Sequence, residues 1–79
     1  MDAERERRLT EIFRKLFSLP ALVLRDDLTA RDVPGWDSLN HVTLMIEVER
    51  EFGLCFSSSE IGALASVGDL KALIEAKLG

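Results

Sequence analysis

The chain has 79 residues, 47% of them hydrophobic, which is enough for one modest core and leaves no room for a second domain or a deep substrate cleft. Its formal net charge is −4, and the excess lies entirely in the second half: residues 1–33 balance seven basic against seven acidic side chains, whereas residues 34–79 hold three against seven. That sign repels nucleic-acid phosphates and favours basic protein surfaces, and the lone Cys55 excludes both an intrachain disulfide and, without companions, a metal site, which fits a reducing, cytoplasmic setting.

The first residues, Met1 to Arg8, are charged from Asp2 onward and no long apolar run follows. Neither a signal peptide nor a membrane span is expected, and the chain reads as soluble. Leu9, Ile12, Phe13, Leu16 and Phe17 recur at three- and four-residue steps in a charged context, the stripe of an amphipathic helix over about residues 3–18, which Pro20 ends.

Residues 19–36 contain Pro20, Pro34, Gly35 and three aspartates and read as a long connection. Leu22, Leu24, Leu28 and Val33 are spaced along it, and a structureless loop of that length does not suit a compact domain. These side chains are expected to pin the connection across the bundle, with a short helical turn near residues 21–24. A short strand at Ala21–Leu24 is the competing reading, because four residues are too few for periodicity to decide.

A second helix is expected from Ser38 to Phe52, with Asp37 as its N-cap and Gly53 as its stop. Its wheel carries two apolar sectors. Leu44, Met45, Val48 and Phe52 form one, assigned to the core; Leu39, Val42 and Ile46 form another on roughly the opposite side, with Asn40, Thr43, Glu47 and Glu51 between them along one edge. A helix with one buried face needs only one such stripe.

Ser57 or Ser58 is expected to cap a short third helix with Glu60 in its first turn. Ser66, with Asp69 three residues on, is expected to cap a fourth whose inward stripe is Val67, Leu70, Leu73, Ile74 and Leu78. There is no internal repeat. The fold class is therefore all-α: a single domain over residues 1–79, built as a small antiparallel four-helix bundle of three main helices and one short one.

Ser38 admits three roles. It can support the cap of the helix, although Asp37 already fills that place. It can be a nucleophile, since His41 lies three residues on and Asp37 is adjacent; yet a carboxylate next to the serine in sequence is badly placed to orient the imidazole, and a domain this small has little concavity to exclude water. His41 is instead expected to pack at the edge of the core. Third, an exposed hydroxyl at a helix N-terminus suits a phosphate ester, whose charge the helix dipole and free backbone N–H groups stabilise.

The whole stretch Gly35–Phe52, "GWDSLNHVTLMIEVEREF", resembles the attachment motif and recognition helix of the acyl carrier proteins. The preceding "DDLTARDVPGW", the following "FGLCFSSSEIGALASVGDLKALI" and the polarity of the first helix extend the resemblance over most of the chain. It implies a carrier with no catalytic residue and no metal of its own. A phosphopantetheinyl transferase would place 4′-phosphopantetheine from coenzyme A on Ser38, within the motif completed by Asp37 and Leu39, and the arm would carry acyl groups as thioesters. Acyl-loading ligases or acyltransferases and ketosynthase-type enzymes would be the partners of a monomeric carrier. The outward face, Leu39, Val42 and Ile46 with Glu47, Glu49 and Phe56, would dock them. Phe13, Leu16, Leu44, Val48, Phe52, Leu70 and Ile74 would leave a crevice between helices to shelter the acyl chain, whereas the residues taken by themselves favour ordinary core packing for all but Leu39, Val42 and Ile46.

The chain also departs from the family's fatty-acid members, which typically carry acidic residues where Asn40 and Thr43 stand. Trp36 is unusual too; its size favours plugging the loop against the bundle over contacting the arm. "GWDSLNH" looks closer to specialised carriers of fatty acid or polyketide-like pathways, with the D-alanyl carriers of cell-wall modification as the alternative. A non-carrier helical interaction domain is the reading from another class. Peptidyl carriers usually have glycine where Asp37 stands.

Overall fold

The computed structural model describes residues 1–79 and contains four helices and no strand: α1 (Ala3–Leu16), α2 (Ser38–Phe52), α3 (Ser58–Ala63) and α4 (Val67–Leu78). No helix is long and apolar enough to cross a membrane. The core is assembled from Leu9 and Phe13 of α1, Leu44, Met45, Val48 and Phe52 of α2, and Val67, Leu70 and Ile74 of α4, together with Leu24, Leu28, Val33 and Trp36 of the long connection.

Each helix begins on the side chain that local chemistry calls for. Asp2, Asp37, Ser57 and Ser66 accept hydrogen bonds from the backbone N–H three residues on, satisfying donors that the helix itself cannot. At Ser57 the Glu60 carboxylate bonds back to the Ser57 N–H at 2.8 Å, a complete capping box, which settles the cap on Ser57 and not Ser58.

Helix α1 stops at Leu16, two residues before the expected end. Ser18 adopts a left-handed conformation (φ 55°) and Leu19 N–H bonds to Arg14 O at 3.0 Å, a closure made ahead of Pro20, which cannot supply a helical N–H. Gly53 closes α2 in the same way at φ 67°, with Leu54 N–H on Glu49 O at 3.2 Å.

The helical turn expected at residues 21–24 is absent. Pro20 occupies the second position of a tight turn closed by Leu22 N–H on Leu19 O (3.0 Å), a place its fixed φ favours, and the chain beyond it pairs with no strand. The pinning itself is present: Leu24, Leu28 and Val33 are buried, and Val67 and Gly68 at the start of α4 donate backbone bonds to Leu28 O and Asp26 O, each at 2.9 Å. In α4, Leu73 stays half-exposed and outside the core, because steps of about 100° per residue rotate it away from Val67, Ile74 and Leu78.

Helix α3 buries no residue completely. Ile61 and Leu64 pack partly against the core, and Lys77 of α4 reaches Glu60 at 2.9 Å. The Ser57 backbone N–H and the Lys77 ammonium both stabilise the charged Glu60 carboxylate and hold it below its ordinary value. A lowered value means a contribution present in full above the usual 4.5 and lost as the pH falls through the folded-state value. Acid is therefore expected to loosen α3 before the main helices, seen as early loss of amide-exchange protection at Ile61. Glu60→Gln should remove that pH dependence, and equal loss of protection in all four helices would contradict it.

Candidate functional site

The N-terminal end of α2 is where the connection, α2 and α3 converge. Gly35, at φ 89°, reverses the chain in a conformation that favours glycine. The reversal points Trp36 inward. The indole is buried against Phe13 (ring centroids 5.4 Å apart, edge-on) and Phe17 (6.1 Å), so Trp36 plugs the loop against the bundle.

An indole N–H can only donate, and when buried it needs an acceptor. Trp36 Nε1 finds His41 Nδ1 at 3.0 Å, with the two rings nearly parallel at 20°. Because Nδ1 accepts, the neutral imidazole carries its proton on Nε2, which donates to Ile61 O in α3 at 3.0 Å. His41, expected only as an edge-of-core side chain, thus ties α2 to α3. Both of its ring nitrogens are engaged elsewhere, so it is not the general base of a Ser38 nucleophile.

Asp37 caps α2 by accepting from Asn40 N–H at 2.9 Å, and the Asn40 amide donates to Gly35 O at 2.7 Å, closing the turn from both sides. Ser38 is the first helical residue and is exposed. Its hydroxyl takes no part in the cap, and the backbone N–H groups of Ser38 and Leu39 precede the first intrahelical bond, His41 N–H to Asp37 O at 2.8 Å. A phosphate ester fits here: the hydroxyl is reachable and the N–H groups of a 15-residue helix lie beside it.

Next to Ser38 is an open concavity of about 410 Å³, walled by Trp36, His41, Ile61 and Leu64. The crevice expected from Phe13, Leu16, Leu44, Val48, Phe52, Leu70 and Ile74 is not formed, since none of them lines this concavity. All but Leu16 are buried in contact with one another, and the half-buried Leu16 lines a separate hollow of about 510 Å³ between α1 and α2, which is ringed by Arg7, Arg8, Glu11, Glu47 and Glu51.

The side chains proposed from sequence for the outward face divide into two groups. Leu39 is 75% exposed, Val42 48% and Ile46 47%, an apolar strip running from the residue after Ser38. Glu47, Glu49 and Phe56 are half-buried and have intrachain roles. The Glu49 carboxylate accepts from Phe56 N–H at 2.8 Å, Glu47 lies 3.8 Å from Arg50, and the Phe56 ring packs on the core beneath Lys77.

No protein-family model matches the chain. An acyl carrier protein of Thermotoga maritima is 40% identical over 45 residues, a stretch covering 57% of this chain and 56% of the relative. The match therefore spans about half the length of that curated relative. The solution NMR structure of a holo acyl carrier protein from Geobacter metallireducens is 37% identical and superposes with a TM-score of 0.85, covering 92% of this chain and 84% of that one.

The local geometry separates the cap from the free hydroxyl. Asp37→Ala is expected to lower stability by about 1 kcal/mol, as loss of an N-cap does, while Ser38→Ala leaves it within about 0.5 kcal/mol. Denaturant titration checks both, and a larger loss in Ser38→Ala than in Asp37→Ala would show the cap assignment to be wrong.

Proposed function

Because the chain belongs to the acyl carrier protein family, we propose that Ser38 is the attachment point of a 4′-phosphopantetheine arm on which it carries acyl groups between partner enzymes. The observation that supports this most directly is the exposed Ser38 hydroxyl at the N-terminus of α2, left free because Asp37 does the capping. When attached, the arm supplies a terminal thiol that holds acyl groups as thioesters. The chain's own residues would hold the anchor: Gly35 and Asn40 fix the turn, Asp37 starts the helix, and the N–H groups of Ser38 and Leu39, which precede the first intrahelical bond, would be available to the phosphate.

Leu39, Val42 and Ile46 then form the strip on which the phosphopantetheinyl transferase, loading ligases or acyltransferases, and ketosynthase-type enzymes dock in the cytoplasm. Asn40 and Thr43 stand where the fatty-acid members typically have acidic residues, which favours a specialised fatty acid or polyketide-like pathway over the housekeeping one. Fewer charges on this face mean weaker electrostatic steering and greater dependence on apolar contact.

Incubation with coenzyme A and a broad-specificity transferase is expected to add about 340 Da, the mass of the phosphate-containing arm, to the protein and nothing to Ser38→Ala. No gain in the wild type, or an undiminished gain in Ser38→Ala, would sink the assignment. Val42→Asp or Ile46→Asp is expected to slow that modification about tenfold, the effect of losing about 1.4 kcal/mol of docking energy. Stability should stay within about 0.5 kcal/mol, because both side chains are already exposed. A large fall in melting temperature would show them to be core.

A further inference from the structure

We propose that Trp36 and His41 latch the interior of this carrier shut against its cargo, so that it transports acyl groups too short or too polar to gain from burial. The inference rests on the carrier reading above and concerns what the arm holds.

A long acyl chain attached through Ser38 can leave water only by entering the apolar interior, where each buried methylene favours the inserted state by about fourfold. The concavity beside Ser38 is the nearest way in, and it ends on Trp36 and His41. Behind the indole stand Phe13 and Phe17, with Phe13 itself wholly buried. The imidazole spans the gap from α2 to α3 with both nitrogens committed, to Trp36 Nε1 and to Ile61 O.

Admitting a chain between α2 and α3 breaks the His41 to Ile61 bond. Turning the indole aside breaks its bond to His41 and exposes both the indole and Phe13 to water, while an indole that stays buried without His41 is left with an unpaired donor, and either outcome is disfavoured. No hollow lies behind the latch: Leu44, Val48 and Ile74 are 0% exposed and Met45 and Leu70 1%, and none of them lines a cavity. Outside it, the surface beside Ser38 presents an imidazole edge, a carboxylate at Asp37 and partly apolar walls from Ile61 and Leu64. That setting suits a small polar acyl group lying at the mouth and gives no shelter to an aliphatic tail.

The test compares acetyl- and decanoyl-loaded protein, made with a broad-specificity transferase from the two acyl-coenzyme A compounds. Intact mass first verifies addition at Ser38; failure there overturns the carrier reading and this inference with it. Hydroxylamine cleavage of the thioester is then timed, and the amide shifts of Leu44, Val48, Leu70 and Ile74 are followed.

In the wild type the two thioesters are expected to be cleaved within about twofold of each other, with interior shifts unchanged. In His41→Ala the decanoyl thioester is expected to be cleaved at least about fivefold more slowly than the acetyl one, as burial of several methylenes protects it. Trp36→Phe keeps an aromatic ring but not the N–H, and is expected to shift the ratio the same way; it carries the test should His41→Ala not fold. A purely structural role would lower melting temperatures without making cleavage depend on chain length. Protection of the decanoyl arm in the wild type, or none in folded variants, overturns the latch.

Discussion

Everything at the site depends on where the Trp36 indole goes. A residue this large at the end of a polar connection has only the shared core of a 79-residue chain in which to bury its rings. It does so against Phe13 and Phe17, and the burial then creates a demand for one hydrogen-bond acceptor. His41 meets it, and in doing so has its tautomer set and its second nitrogen aimed at Ile61 O. One apolar side chain thereby positions the start of α2 against α1 and links it to α3, a helix too short and too exposed to be placed by burial alone.

The long connection becomes a structural strap by a comparable division of labour. Leu24, Leu28 and Val33 enter the core, while the backbone between them is satisfied by successive tight turns and by the two bonds from the start of α4. Gly68 permits that approach: a Cβ there would lie 3.0 Å from Asp26 O. Lys71 fastens the same corner, 2.7 Å from Glu6 and 3.0 Å from Asp26. Burial works against its charged form, but the two carboxylates outweigh that penalty and raise its pKa. The strap thus joins α1 and α4 on one side of the molecule and delivers Gly35 and Trp36 to the other.

The helices were legible in the sequence because the signals that specify them are local. Three- and four-residue apolar steps, Asp37 before Ser38, and Ser57 with Glu60 each state a hydrogen bond or a buried face within a single turn, and the two sectors of α2 separated in space as they do on the wheel. What was not legible is non-local or set by competition. The turn at Leu19–Leu22 replaced a helical turn because Pro20 suits the second turn position. The expected crevice was replaced by a closed core because side-chain volumes from α1, α2, α4 and the connection fill it jointly. The bond from His41 to Ile61 O joins residues 20 apart in sequence through a backbone carbonyl, and no residue identity records that acceptor. The Trp36 to His41 pair was closer to legible, since a buried indole five residues before a histidine at a helix start needs an acceptor within reach.

The polar departures on α2 also have local causes. Asn40 stands where an acidic residue would bring charge to the outward face, yet its amide donates to Gly35 O at 2.7 Å, which an ionised carboxylate cannot do. The neutral residue closes the very turn that points Trp36 inward. Glu49 is turned away from any partner by its bond to Phe56 N–H, and Glu47 sits near Arg50. Much of the negative charge that composition assigns to this half of the chain is therefore engaged within the molecule. What the helix leaves free is Leu39, Val42 and Ile46 beside an uncommitted hydroxyl. In the docking role proposed for it, a surface of that kind would discriminate among partners by shape and apolar fit at short range, and salt would affect its encounters less than those of a carrier with a charged face.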